Sequence, residues 1–257
     1  MNAIVTAGGI TRPQDALYPL IGGGFKSMLE INGRPMVQYV LDALAGSARV
    51  ERILVVGLPL SNYLESSRPV LRMEDRGDMV ANILAGAREI STLDPAARHC
   101  LVVSADIPAI NSAMVDWLID QIEQHDDEII YNVIERKVME ARYPGSRRTY
   151  VRLKDLEVCG GDMNAIRLSL AASDNPLWDR LIEARKSPMR QAALIGYDTL
   201  FWLLLRRLSL SEAQRAVSER LGIRARALLC PFAEMGMDVD KPFQLEIMRK
   251  DLAVRNG

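Results

Sequence analysis

Ala3-Ile4-Val5-Thr6-Ala7-Gly8-Gly9 opens the chain with a short apolar, β-branched run that stops at two glycines. A strand covered on both faces reads this way, because neither set of alternating positions has to be polar. Two later runs repeat the pattern: Arg52 to Val56 closes at Gly57 and Pro59, and Cys100 to Ser104 closes at Ala105, Asp106 and Pro108. Between the runs the apolar period becomes helical. Met36, Val37, Val40, Leu41 and Leu44 recur at three- and four-residue spacing within Pro35 to Leu44, as do Val80, Ile83, Leu84, Ala87 and Ile90 within Met79 to Ile90. Val115 to Ile122 continues the series. Strand, loop and helix in alternation predict an α/β fold with a mostly parallel central sheet flanked by helices. Its crossovers are right-handed, and its ligand site lies at the carboxyl ends of the strands.

Outward from that core, Glu128 to Val133 and Thr149 to Leu153 read as further strands, separated by the turn Tyr143-Pro144-Gly145-Ser146. From about 175 to 222 the period is helical again, carried by Leu177, Leu181 and Ile182, then Leu200, Leu203 and Leu204, then Ala213, Ala216, Val217 and Leu221. This stretch is expected to be a C-terminal helical insertion within a single domain spanning 1–257. Phe201, Trp202 and Leu203 to Leu205 give it more apolar surface than one helical face needs, which predicts a compact lid or a homodimer contact. Trp178 and Trp202 are expected in core or interface. Arg224 to Leu229 reads as the last strand and leads, through Met235 to Pro242, into a closing helix.

Composition narrows the function. Apolar residues are 49% and charged residues 25% of the 257, enough for a sizeable core. Lys plus Arg number 32 against 33 Asp plus Glu, so no basic field exists to hold nucleic acid, and a small-molecule substrate is expected. Cys100, Cys159 and Cys230 show no metal-ligand spacing and read as reduced thiols, which points to the cytoplasm. The N-terminus lacks the basic and small-residue marks of a signal peptide. The longest apolar stretch, Ala192 to Leu205, is broken by Gly196 and Asp198 and falls short of the ~20 residues of a spanning helix, so no stable membrane insertion is expected.

Three constellations carry the chemistry. Ala7, Gly8 and Gly9 follow the first strand, with Arg12 and, beyond Gly22-Gly23-Gly24-Phe25, Lys26. Backbone N–H groups of such a loop approach an anion closely and the two cations suit a triphosphate, although glycines at this place also simply make turns. The spacing is neither GxxxxGK[ST] nor GxGxxG. Asp106 ends the third run. A carboxylate at the mouth of a parallel sheet is poorly solvated unless it meets a cation such as Mg²⁺ with substrate phosphates, or it caps the next helix. Asp238 and Asp240 stand two apart; in an extended segment both face one side, so both reach one metal, or one of them is a cap or an exposed charge. His99 and His125 neighbour no nucleophile and are expected to be structural or exposed.

Thr6-Ala7-Gly8-Gly9 with Arg12, Lys26-Ser27-Met28-Leu29-Glu30-Ile31-Asn32-Gly33-Arg34-Pro35-Met36-Val37, Ala105-Asp106-Ile107-Pro108 and Asp238-Val239-Asp240-Lys241-Pro242 resemble, in that order, the MobA-like NTP transferase family. The resemblance covers almost the whole chain apart from the helical stretch and implies the GT-A-type nucleotide-diphospho-sugar transferase fold. It also implies an Mg²⁺-dependent nucleotidyltransferase that moves a nucleoside monophosphate from an NTP to a small phosphorylated or hydroxyl acceptor, releasing pyrophosphate. Position by position, Ala7, Gly8 and Gly9 match the nucleotide loop, Arg12 the arginine of the signature, and Lys26 the lysine facing the phosphates. Asp106 matches the metal-binding aspartate and Asp240 the second metal ligand, with Asp238 as alternate. Arg76 to Asn82 resembles the nucleobase segment, so Gly77 and Asn82, with Gly57 on the neighbouring turn, are expected at the base. In the segment Cys159 to Asn164, Gly161 and Asn164 are candidate acceptor contacts, with Arg148 (and Arg147 and Lys154) as candidate anion contacts. The gap from Gly9 to Lys26 is longer than in compact versions of the motif, and the helical insertion is not part of the minimal fold. A glycosyltransferase using a nucleotide sugar is the rival enzyme, disfavoured by cations placed for a triphosphate. A nucleotide-binding regulatory module without turnover is the rival outside enzymes, disfavoured by the presence of both carboxylate motifs.

Overall fold

A computed structural model describes residues 1–172, 177–184 and 205–255. β1 (Asn2–Thr6) runs into the Gly8–Gly9 turn; a one-turn helix α1 (Tyr18–Ile21) and a 3-10 turn (Lys26–Met28) lead to the paired strands β2 (Glu30–Ile31) and β3 (Arg34–Pro35). Then come α2 (Met36–Gly46), β4 (Ile53–Val56), β5 (Val70–Met73), α3 (Met79–Leu93), β6 (His99–Ser104) and α4 (Ser112–Glu123). The chain continues through β7 (Ile129–Glu135), α5 (Arg136–Arg142), β8 (Val151–Arg152), β9 (Glu157–Gly160), β10 (Met163–Arg167), α6 (Leu168–Ala172) and α7 (Leu177–Ala184). It ends with α8 (Leu210–Leu221), β11 (Ala225–Leu229), a second 3-10 turn (Ala233–Gly236) and α9 (Pro242–Arg255).

The main sheet has the order β5-β4-β1-β6-β10-β7-β9-β8, with β11 beside β7. β5, β4, β1 and β6 are parallel, and they are the half that the three apolar runs predict. β10 then enters antiparallel between β6 and β7, while β11 returns parallel along β7. β7 is shared: its first residues meet β10 on one edge and its last meet β9. Both faces of β1 are buried, as its continuous apolar reading requires. Ala3 and Val5 pack with Val40, Leu44, Leu118, Ile122 and Met248 on the face of α2, α4 and α9, while Ile4 packs with Leu84, Ala87, Ile90 and Trp178 on the face of α3, α6 and α7. Full burial of each such aliphatic side chain contributes about 1.5–3 kcal/mol.

Local chemistry fixes the helix starts. Asp78 accepts a hydrogen bond from Val80 N and begins α3; Asn111 does the same from Met114 N for α4. Asp106 is therefore not the cap of the helix that follows it. The Ser209–Glu212 capping box begins α8 and Gly222, at φ 68°, ends it. The sequence reading lacks β5, α5, β9 and β10 along with the short α1, β2, β3 and α6, and Thr149 to Leu153 yields only Val151–Arg152 as strand. Trp178 is buried in the core and its Nε1 donates to Leu170 O at 3.1 Å. Phe201, Trp202 and most of the apolar run Ala192 to Leu205 lie outside the described residues. Among the described residues no helix is long and apolar enough to cross a membrane.

Candidate active site

The parallel half brings the carboxyl ends of β4, β1 and β6 to one edge, and a cleft of about 690 Å³ opens there. Its floor is the turn after β1. Ala7 N donates to Val56 O at 2.9 Å, joining the β1 turn to the end of β4, and Gly57 N donates to Met73 O at 2.9 Å, joining the β4 turn to the end of β5. Gly57 has φ 100°, and a Cβ there would lie 2.5 Å from Gly8 Cα. Gly57 therefore supports the floor from beneath and does not itself line the cleft. Gly9 faces the opening, since nothing lies within 4 Å of where its Cβ would stand. The bridge Ile10–Phe25 and the bond from Lys26 N to Gly9 O at 2.8 Å close the base of the long excursion between Arg12 and Lys26. Arg12 is exposed at the rim, its N–H donating to Asp15 Oδ2 at 2.6 Å.

One wall is the turn before α3. Asn82 is buried; its Nδ2 donates to Asp75 Oδ1 at 2.8 Å and its Oδ1 accepts from Arg76 N at 2.7 Å. Gly77, at φ 83°, also donates to Asp75 Oδ1, at 3.1 Å. Gly77 and Asn82 thus line the cleft, and they do so around Asp75, which sequence reasoning missed. The signal that was available is the pattern Asp75-x-Gly77 ahead of a capped helix, a turn built on a side-chain acceptor.

The other end of the cleft gathers charge. Lys26 Nζ donates to Asp106 Oδ2 at 2.5 Å and to Asp240 Oδ1, and Ser104 Oγ donates to Asp106 Oδ1 at 2.5 Å. Val239 N binds Asp106 O at 3.0 Å, which ties the segment before α9 to the end of β6. Burial pulls the Lys26 ammonium toward neutrality, but the charges of Asp106 and Asp240 outweigh it and hold its pKa above the ordinary lysine value. Asp106 and Asp240 are thereby brought to one point, with Lys26 between them. Asp238 is held by a different cation, forming an ion pair with Arg148.

Arg148, the candidate acceptor-anion contact, is engaged with carboxylates. Its guanidinium binds Asp238, lies 3.8 Å from Asp162 and donates to Gly160 O at 3.4 Å, so its charge is already balanced. Gly161 and Asn164 are likewise committed to the sheet. A Cβ on Gly161 would stand 3.0 Å from Asn132 Cβ, and Asn164 donates from Nδ2 to Gly161 O at 2.9 Å while its Oδ1 accepts from Asn132 N at 2.8 Å. Arg147 lies over the Phe243 ring at 5.1 Å, and Lys154 is exposed. Asp162 is the carboxylate that sequence reasoning passed over. Its backbone is pinned to Met235 O and Ser104 N, its Oδ2 is enclosed without a hydrogen-bond partner, and one edge of the side chain stays about a third open, at 33%. Burial, and then the charge of Asp106, push its carboxyl up to about 7 against the opposing pull of Arg148. Among the described residues there is no group of three or more His, Cys, Asp and Glu side chains with metal-binding geometry.

Comparison with known proteins bears on the family and the fold. A family model described as MobA-like NTP transferase domain matches residues 3–229. That span includes Lys26 and Asp106 and stops short of Asp240. A molybdenum cofactor guanylyltransferase of Shewanella loihica is 27% identical over 132 residues, which are 50% of this chain and 60% of that protein. The chain therefore spans about 60% of the length of that curated relative. A hypothetical transferase from Thermus thermophilus superposes with a TM-score of 0.80 at 32% identity, covering 95% of this chain and 98% of the other. A CMP:2-keto-3-deoxy-manno-octonic acid synthetase complexed with CTP gives a TM-score of 0.59 at 15% identity over 99% of both chains, a likeness of fold.

Proposed function

Starting from the fact that this chain belongs to the MobA-like NTP transferase family of nucleotidyltransferases, we propose that it transfers a nucleoside monophosphate from an NTP to a small acceptor and releases pyrophosphate. The observation that carries this reading is the meeting of Lys26, Asp106 and Asp240 at the end of a cleft floored by Gly8 and Gly9. Two carboxylates that converge on one cation, with no third protein ligand among the described residues, suit Mg²⁺, which is held by one or two carboxylates together with substrate phosphates. Bound there, Mg²⁺ supplies Lewis-acid stabilisation of the reacting phosphate. The chain's own residues do the positioning. N–H groups of the Gly8–Gly9 turn face the phosphates, Arg12 and the Lys26 ammonium offset charge developing on the pyrophosphate, and Ser104 orients Asp106.

The base lies in this reading between Gly8 and the Gly77–Asn82 wall. Guanine is the base we propose. The Shewanella relative is a guanylyltransferase, and Asp75 puts a carboxylate in that wall, the acceptor that guanine's N1–H and 2-amino donors require. The balance of 32 Lys plus Arg against 33 Asp plus Glu supports a small acceptor rather than a nucleic acid, and the three buried free cysteines support the cytoplasm as the place of action. The helical stretch of about 175–222 stays our candidate for a lid or a homodimer contact, with light scattering of Trp202→Ser against the parent as its check.

The test is pyrophosphate release from each of four NTPs with Mg²⁺, offered phosphorylated sugars, alcohols and cofactor precursors in turn. We expect GTP to be used and ITP, which lacks the 2-amino group, to bind at least tenfold more weakly, in line with roughly 1.5–3 kcal/mol for a hydrogen bond to a charged group. Asp106→Asn and Asp240→Asn should each remove most Mg²⁺-dependent turnover with a normal thermal transition. The double variant should lose little more, because residues acting as a unit are non-additive. Near-parental turnover in Asp106→Asn would refute the assignment.

A further inference from the structure

Asp240 owes its place to the segment Met237–Asp240, and three features of that segment need explaining together. Val239 is fully buried, its N–H tied to Asp106 O at 3.0 Å, and the aspartates on either side of it are held by separate cations. Asp238 is only 14% exposed and finds its countercharge in Arg148, a residue of a different loop. The same guanidinium is the single ion-pair partner of Asp162 among the described residues, at 3.8 Å, and it reaches Gly160 O on β9. One planar fork therefore joins the turn between β9 and β10 to the segment that leads into α9. Lysine lacks the several fixed donors for such a bridge.

We propose that Arg148 is a positioning residue of the transfer site, holding Asp238 and Asp162 together so that Asp240 stands opposite Asp106 on Lys26. The inference rests on the function proposed above. Without the guanidinium, Asp238 is a largely enclosed carboxylate without a countercharge, in a segment whose next carboxylate, Asp240, already shares Lys26 with Asp106. Repulsion then drives the Met237–Asp240 segment outward, and Asp240 leaves the position it shares with Asp106. Groups one step removed from a metal's ligands orient those ligands in this way, and losing them weakens metal binding about 10- to 100-fold. An arginine that received the acceptor would act differently, raising the acceptor's KM and leaving the metal site alone.

Mn²⁺, read by electron paramagnetic resonance as a stand-in for Mg²⁺, is titrated into the full chain saturated with the α,β-methylene analogue of GTP, which cannot be turned over. Asp240→Asn should weaken Mn²⁺ binding, and Arg148→Ala should weaken it about tenfold while keeping a cooperative thermal transition. Adding Asp238→Asn to Arg148→Ala should recover part of that loss, because the repelling carboxylate is gone. A purely structural role of Arg148 gives no such recovery. Should Arg148→Ala fail to fold, Arg148→Lys carries the same test, with a smaller loss again relieved by Asp238→Asn. Parental Mn²⁺ affinity in the Arg148 variants, with Asp240→Asn impaired, overturns the positioning role and leaves the proposed function standing. Failure of the parent to bind Mn²⁺ with the analogue, or indifference to Asp240→Asn, overturns both.

Discussion

Gly57 is the residue whose replacement the fold tolerates least near the cleft. Its φ of 100° strains any side chain, and an added Cβ would meet Gly8 backbone at 2.5 Å, so the turns of β1 and β4 have to part. Gly57→Ala should cost roughly 2–4 kcal/mol in denaturant unfolding and weaken NTP binding, since backbone has no flexible end to swing aside. Asp162 gives a prediction with a sign. Its carboxyl is raised from the ordinary value of 3.8 to about 7, so the folded state holds the proton more tightly than the unfolded chain. The associated stability is complete below the unfolded pKa and is lost as pH rises through 7. Measured without divalent metal, the melting temperature of the parent should decline between pH 4 and 8 relative to Asp162→Asn, by a few degrees once the open edge of the side chain is allowed for. Parallel pH profiles for the two would contradict this. Lys26, Asp106 and Asp240 were legible from their motifs, because each stands at a strand end or before a helix. Asp162 was not, since what sets it apart is enclosure by β6 and the turn of Ala233–Gly236, segments remote in the chain.

The elements were legible where a covered strand alternates with an amphipathic helix, which is the β1-to-α4 half. β5 was not, because Arg72 interrupts it and donates to Leu58 O, Pro59 O and Asn62 O, making an edge strand whose charged residue secures the neighbouring loop. α5 is too short for its period to register. It is held instead by charge: Glu234, buried in the second 3-10 turn, pairs with Arg142 of α5 at 2.9 Å and Arg255 of α9 at 3.1 Å. Asp251 joins both arginines and accepts from Tyr143 Oη at 3.1 Å. Glu234→Ala leaves two guanidiniums sharing one carboxylate and should destabilise by about 3 kcal/mol, toward the lower end for a broken buried pair because the arginines are partly solvated. Hydrogen exchange should show α5 and α9 loosening together. Loss confined to one of them would mean the network is not shared.

Across the molecule, at the edge of the sheet opposite the cleft, one carboxylate gathers three arginines from different strands and their approaches. Asp126, just before β7, receives Arg98 ahead of β6, Arg167 of β10 and Arg224 ahead of β11. Asp126→Ala should lower the melting temperature by a few degrees at low salt and less at high salt, because the cluster is exposed and screened. NTP affinity should not change, and if it does the two edges are coupled. The order of strands beyond β6 was the least legible property of all: an antiparallel β10 between β6 and β7 depends on pairing across the fold, which no local period encodes. The bond from Lys26 to Asp240 joins residues 214 positions apart. During synthesis, at a pace of about 5–20 residues each second, Lys26 waits roughly ten seconds or more for that partner to be made. On the function proposed above, the residues of the cleft floor are made well before the carboxylate that meets Lys26, so a growing chain carries the floor first and the full set of charges only 214 residues after Lys26.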